Sequence, residues 1–366
     1  MNYSYWEIKS WFSDIDFAII GSGIVGLSTA YQLKKKYPNS NIIILEKGQL
    51  PQGASTKNAG FACFGSLSEI VSDLENHSIA EVVDLVQKRW VGLNLLRDTL
   101  GDDALRLQQF GGYELFLDSE SFDKNKEQLI AINSYLKPIF KSDVFGIQPN
   151  NFGFENIHDQ LVFNQFEGQL DTGAMMQALI RKVQSLGVKI LNNAEVNYID
   201  DFGTVQLAND FSFYADKIIL ATNGFSSEFL PEDVQPARAQ VLITEPIKDL
   251  KIKGTFHLDE GYYYFRNINN RILFGGGRNL DKKGEETSEF GTTHLIQNKL
   301  KELLKDVILP NQEVAIEHTW SGIMGVGNQK SALVKQVSNN VYCGIRLGGM
   351  GVAIGSSIGK EVADLI

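Results

Sequence analysis

Asp16-Phe17-Ala18-Ile19-Ile20 is a short apolar run without polar alternation, the pattern of a strand buried on both faces of a parallel sheet. After a glycine turn, Ile24, Leu27 and Tyr31 recur at the i, i+3, i+7 spacing of a helix face. The run Lys34-Lys35-Lys36 and then Pro38 ends that helix. A second apolar run, Asn41 to Leu45, predicts another strand, which stops at Glu46. Further along, Lys217 to Leu220 predicts an apolar strand running into Ala221-Thr222-Asn223-Gly224. Tyr113 to Leu117 and Tyr262 to Arg266 are aromatic, strand-like runs. Arg271 to Phe274 follows the turn Asn267-Ile268-Asn269-Asn270, which predicts a hairpin. At the N-terminus, Tyr5, Ile8 and Phe12 lie at helical spacing. That stripe predicts a short amphipathic helix packed on the body, with a membrane or partner anchor as the functional alternative.

Composition narrows the class. The chain has 366 residues, 43% hydrophobic and 21% charged, ordinary globular values at a length that suits two domains or one domain with an insertion. The net charge of -10 argues against general binding to nucleic acid or to anionic membranes. No run of about 18 apolar residues spans a membrane. Residues 1–13 lack the basic start and apolar stretch of a signal peptide. The 2 cysteines, Cys63 and Cys343, lie far apart and the 5 histidines are scattered, so neither a disulfide framework nor a structural metal site is expected. Two lone thiols fit the cytoplasm.

The first turn carries chemistry. Gly21-Ser22-Gly23-Ile24-Val25-Gly26 is GxGxxG between strand and helix. Gly21 permits the tight turn, Gly23 removes a side chain where backbone approaches a pyrophosphate, and Gly26 lets the helix sit close to the sheet. The helix start offers free N–H groups and a positive dipole end to phosphates. Glu46 ends the second strand about 20 residues on, where an acid accepts hydrogen bonds from an adenosine ribose. In this order the elements predict dinucleotide binding, with Lys47 beside the acid.

Three further features favour FAD over a nicotinamide cofactor. Gly53-Ala54-Ser55-Thr56-Lys57-Asn58-Ala59-Gly60 is small, hydroxylated and suited to wrap a pyrophosphate and ribityl chain. The strand end at Ala221-Thr222-Asn223-Gly224 suits passage beside FAD. Gly348-Gly349-Met350-Gly351-Val352 opens a C-terminal helix able to aim N–H groups at the pyrimidine edge of a reduced flavin. Gly275-Gly276-Gly277 lacks a following helical face and reads as a strand end in a second domain, so no second nucleotide site and no NADPH route is visible. The absence of a cysteine pair removes disulfide reduction.

These residues resemble the D-amino-acid oxidase superfamily, in the branch with glycine, sarcosine and γ-glutamylputrescine oxidases. The resemblance runs through nearly the whole chain after Asp14. It rests on the GxGxxG unit and Glu46, on the GAS-x-x-NAG stretch from Gly53 to Gly60, on Asp171-Thr172 opening a helix that leads to Gly187-Val188-Lys189-Ile190 and Val196, on Ala221-Thr222 with Gly224, on Pro236-Ala237-Arg238-Ala239-Gln240, and on Gly348 to Gly351. It implies an α/β fold: a discontinuous Rossmann-like FAD-binding domain (14–90, 166–235 and 322–366), a second α+β substrate domain on a large mixed or antiparallel sheet (91–165 and 236–321), and an N-terminal extension, 1–13. Asn223 stands where the family often has glycine or alanine, and Ala239 replaces the glycine of its P-x-R-G-Q. The region Trp320-Ser321-Gly322-Ile323-Met324 has no cysteine where the sarcosine branch attaches its flavin, which implies non-covalent FAD. That branch's oxygen-activating lysine has no clear counterpart, which leaves oxygen or another acceptor open.

The implied chemistry is oxidation of the C–N bond of a small amine or amino acid by hydride transfer to flavin N5. The cofactor carries that step, so no acid or base side chain is obligatory. An amino-acid carboxylate calls for an arginine; Arg346, Arg266 and Arg278 are the candidates, with Tyr262, Tyr264 and Trp320 as pocket walls. His257 reads as an ordinary strand histidine and both cysteines as inert. Two other functions compete: FAD-dependent demodification of a tRNA wobble base, which needs a basic groove, and a non-catalytic flavin-binding role.

Overall fold

The computed structural model describes residues 3–230 and 234–366. Residues 1 and 2 of the expected N-terminal extension, and 231–233 of the middle FAD-domain range, lie outside the described residues. Two eight-stranded sheets carry the fold. In the first, the strands Val341–Ile345, Ser212–Leu220, Ile15–Ile20, Ile42–Leu45 and Lys189–Leu191 lie side by side and parallel. Leu333–Gln336 adds an antiparallel edge, and Val196–Ile199 and Thr204–Leu207 extend Ser212–Leu220 as a meander. Ile42, Ile43 and Ile44 are all fully buried, which explains a strand with no polar alternation. Burying each such side chain contributes about 1.5–3 kcal/mol.

Helices Ile24–Lys36, Thr172–Gln184 and Gly351–Leu365 cover one face of this sheet. A second apolar cluster that includes Phe213, Leu207 and Val205 of the meander covers the other. Helices Ile24–Lys36 and Gly351–Leu365 touch closely enough that a Cβ on Gly359 would lie 2.5 Å from the Ser28 Cβ. The α/β expectation therefore holds.

The second sheet runs Ile316–Val326, Gln235–Thr244, Arg271–Gly276, Tyr263–Ile268, Thr255–Leu258, Gly112–Leu115, Gln160–Asn164, Phe145–Pro149. It is antiparallel except where Thr255–Leu258 runs parallel to Gly112–Leu115, so it is mixed. Its outer face packs Phe256, Phe265 and Phe274 against helix His294–Leu303, with the Phe256 and Phe265 rings stacked at 4.6 Å. The turn of the hairpin places Asn269 and Asn270 at φ 47° and 58°, left-handed values that asparagine tolerates. Strand Ile316–Val326 pairs along its length with Gln235–Thr244, so it crosses residue 322, where the substrate range gives way to the FAD range. Helix Ile79–Leu100 also serves both parts: Leu96 packs in the core under the parallel sheet, while Val82 and Val86 pack around Phe64.

The N-terminal helix needs correction. Tyr5–Glu7 is a single α-turn under a capping box from Ser4, and Ile8–Phe12 winds as a π-helix. The i→i+5 winding takes the apolar stripe off one face. Only Phe12 is buried, against Tyr3, Phe211 and Phe213. Tyr5 and Ile8 are exposed, with Trp6 and Trp11. Among the described residues no helix is long and apolar enough to cross a membrane.

Candidate functional site

A cavity of about 870 Å³ opens beyond the carboxyl ends of the parallel strands, where open α/β sheets bind their ligands. Ile20, Leu45 and Ala221 close its floor from three strand ends. Ala239, Val241, Tyr264, Gly322 and Met324 close the opposite side from the second sheet.

The glycine turn is built as the motif predicts. Gly21 has φ 104°, and a Cβ there would lie 2.7 Å from the Ala221 carbonyl oxygen. A Cβ on Gly26 would collide with the Gly21 carbonyl oxygen. Gly23 caps the helix without a side chain, and a Cβ on it would lie 2.8 Å from the Ser55 hydroxyl. That hydroxyl accepts a hydrogen bond from the Ile24 N–H at 2.9 Å, which ties the Gly53–Gly60 loop to the helix start. Glu46 is buried; its Oε2 accepts from the Ser22 hydroxyl at 2.7 Å and backbone N–H at 3.2 Å, and its Oε1 from the Gly48 N–H at 3.1 Å. The Gln52 N–H reaches Oε1 as a fourth donor at 3.4 Å, so a ribose hydroxyl would share or displace one of these contacts on a carboxylate with about four acceptor positions.

The other cofactor candidates gather on the same walls. Gly21, Gly23, Ile24, Val25, Glu46, Lys47, Ala54, Ser55, Asn58, Ala59 and Gly60 line the cavity, as do Val196, Ala221, Thr222 and Asn223. Ser22, Gly26, Thr56 and Gly224 sit behind them and do not line it. Asn223 takes φ 47°, and its Oδ1 accepts from the Leu347 N–H at 3.2 Å. The asparagine that departs from the family's small residues thus binds the segment leading into the C-terminal glycine turn. Gly348, Gly349, Met350, Gly351 and Val352 line the cavity at the start of helix Gly351–Leu365, whose first-turn N–H groups have no side-chain cap. Two helix starts at glycine turns, a buried acid at the strand end and glycines whose missing side chains leave room together fit FAD.

The substrate candidates separate. Tyr262, Tyr264 and Arg278 line the cavity; Arg266, Arg346 and Trp320 do not. Trp320 spends its indole N–H on the Lys57 carbonyl oxygen at 3.0 Å. Arg346 takes φ 62° and its Nε donates to the Ser331 carbonyl oxygen at 3.2 Å. Arg266 is buried behind Gly60. Arg278 has a buried Nε with no acceptor. Burial pushes the Tyr264 hydroxyl up to about 12, so it stays neutral.

Charged residues that the motifs did not single out as ligands also line the cavity, among them His257, Glu69, Arg89 and Lys330. His257 Nε2 lies 2.5 Å from Glu167 Oε1, which also accepts from the Thr255 hydroxyl at 2.8 Å. Burial works against charge on His257, yet Glu167, Glu114 and Glu69 outweigh it and hold its pKa above the ordinary histidine value. Burial likewise opposes ionisation of Glu69, but Arg89, at 3.2 Å, leads the cations that hold it below its ordinary value. Lys330 pairs with buried Asp73. Burial, then Glu167 and Glu69, push the Cys63 thiol well up, consistent with an inert cysteine. Glu167 and His257 stand 90 positions apart, and no local pattern announces such a pair. Among the described residues no group of His, Cys, Asp and Glu is arranged to hold a metal.

Comparison with known proteins agrees with this geometry. The family model described as FAD dependent oxidoreductase (DAO) matches residues 16–365. A probable oxidoreductase, OrdL, of Haemophilus influenzae is 22% identical, covering 96% of this chain and 82% of that protein. The structure of glycine oxidase from Geobacillus kaustophilus superposes with a TM-score of 0.74 at 18% identity, covering 96% and 94% of the two chains. That of L-proline dehydrogenase from P. horikoshii superposes with a TM-score of 0.73 at 17% identity, covering 96% and 93%. The chain thus belongs to the DAO family of FAD-dependent oxidoreductases, with FAD as its cofactor.

Proposed function

We propose that this enzyme oxidises the C–N bond of a small amino acid or N-substituted amino acid. The observation that carries the reading is Arg278, a cavity-lining arginine whose buried Nε has no acceptor. Of the other lining cations, Lys47, Arg89 and Lys330 each pair with a carboxylate, and Lys57 lies over the Phe290 ring. A guanidinium with open donors matches a substrate carboxylate.

When bound, FAD would supply the electron sink for a hydride leaving the substrate Cα, with the nitrogen lone pair closing the C=N bond. The chain's own residues bind and orient. Arg278 holds the carboxylate, and Tyr262 and Tyr264 wall the substrate between the second sheet and the cofactor. Phe61, Val241 and Met324 keep that part of the cavity apolar. The Glu167–His257 pair keeps a proton on the wall. Water then hydrolyses the imine outside the redox step, releasing a carbonyl compound and an amine or ammonia. The relatives named as glycine oxidase and L-proline dehydrogenase support an amino-acid substrate and differ in their names as oxidase and dehydrogenase, so the acceptor here is oxygen or another oxidant.

Arg278→Ala tests the reading. It should raise KM for a carboxylate-bearing amine about tenfold or more, a loss of about 1.5–3 kcal/mol for a charged hydrogen bond. It should leave KM for an amine without a carboxylate unchanged. Equal effects on both substrates would remove Arg278 from carboxylate binding.

A further inference from the structure

Arg266 is 3% exposed, and its Nε has no acceptor. It stands on strand Tyr263–Ile268, in register with Thr255 on one side and Leu273 on the other. Alternation puts it on the same face as Tyr264, two residues earlier, which lines the cavity. It does not reach the cavity itself because Gly60 intervenes. A Cβ on Gly60 would lie 2.9 Å from Arg266 Nη2, and Gly60 holds φ 75°, a conformation suited to glycine. The Asn58–Gly60 wall is braced independently: Asn58 Oδ1 accepts from the Thr172 hydroxyl and from the Gly60 N–H, both at 2.9 Å.

The guanidinium has little to balance it. Asp171 is the acid whose field supports its charge. That carboxylate is already engaged, capping helix Thr172–Gln184 through the Ala174 N–H at 2.9 Å and pairing with Arg106 at 3.0 Å. Burial lowers Arg266 to about 10, which still leaves it protonated near neutrality. A buried cation without a close anion is a large unfavourable term unless a negative charge arrives nearby. The pyrophosphate belongs at the Gly23 helix start, and the carboxylate is assigned to Arg278. What remains is the charge that enters the cofactor with the hydride, at the end of the cavity that Gly60 and Tyr264 share.

We propose that Arg266 holds the reduced cofactor as an anion and raises its reduction potential, acting through the Asn58–Gly60 wall without touching substrate. Two electrons and one hydrogen enter the flavin as hydride. If no proton follows, one negative charge stays on the ring, and Arg266 stabilises it. Arg266 is thus a positioning residue for charge.

The test uses purified holoenzyme and two readouts besides turnover: the two-electron midpoint potential and the dissociation constant for sulfite. Sulfite adds to oxidised flavin at N5 and leaves negative charge on the ring, so it reports the same stabilisation without a reductant. Arg266→Met should weaken sulfite binding about tenfold or more and lower the potential by about 30 mV or more, the equivalent of tenfold for a two-electron couple. Arg266→Lys should keep both values close to wild type. Asp171→Asn, which retains a helix cap, should shift both the opposite way. An Arg266→Met holoenzyme with wild-type potential and sulfite affinity overturns the proposal. Should that variant lose FAD, Asp171→Asn decides, and unchanged values in it overturn the proposal equally.

Discussion

Single residues decide which cations meet the substrate. In the sequence, Arg346 stands beside the C-terminal glycine turn and Arg266 ends an aromatic strand, which puts both ahead of Arg278 as candidates, yet only Arg278 of the three lines the cavity. Conformation separates them: φ 62° at Arg346 is a left-handed value, its Nε donates to the Ser331 carbonyl oxygen, and Arg266 lies one layer behind the wall. Neither feature has a sequence signature. His257 was legible as a strand residue but not as part of a cavity wall, because its partners Glu167 and Glu114 come from distant segments. Its raised pKa predicts a pH dependence. A group whose folded pKa exceeds its unfolded value near 6.5 contributes stability that is fully present below 6.5 and lost as pH rises through the raised value. Thermal unfolding followed across that window should show Tm of the wild type falling more steeply than that of His257→Gln. Parallel curves would mean the pair carries no net charge linkage.

Elements reach the cavity because small residues let them approach. The GxGxxG unit was legible because its order of strand, turn, helix and acid is local, and each glycine answers to a measurable contact. Gly359 carried no such signal, although it sets how closely helix Gly351–Leu365 lies on Ile24–Lys36. Gly359→Val should destabilise the protein by about 1–3 kcal/mol through overpacking, measured by denaturant unfolding. Gly26→Ala places a methyl group against the Gly21 carbonyl oxygen and should lower the flavin-to-protein ratio of the purified protein. Full flavin content in Gly26→Ala would show that the turn can shift without loss of binding. The N-terminal stripe shows where periodicity misleads: a π-helical stretch from Ile8 to Phe12 breaks the 3.6-residue repeat that the pattern assumes.

At the scale of the molecule, two sheets made from interleaved segments wall the cavity from opposite sides. The family resemblance implies a discontinuous plan; the strand Ile316–Val326 runs across its boundary at 322, and the helix Ile79–Leu100 across its boundary at 90, in ways that composition does not mark. Cys343 is fully buried in strand Val341–Ile345, and the thiol of Cys63 is strongly protonated, so neither suits a flavin linkage. Acid precipitation should therefore release all the yellow colour into the supernatant; flavin left in the pellet would indicate a covalent bond. Added FAD should also raise Tm of the apoprotein, by the equivalent of about 2.7 kcal/mol at a hundredfold excess over Kd. The most direct test is an anaerobic visible spectrum of the FAD-loaded protein during addition of amino acids, N-methyl amino acids and polyamines. The account predicts that a carboxylate-bearing amine bleaches the oxidised-flavin band. A fully loaded flavoprotein whose band none of these amines bleaches would contradict it.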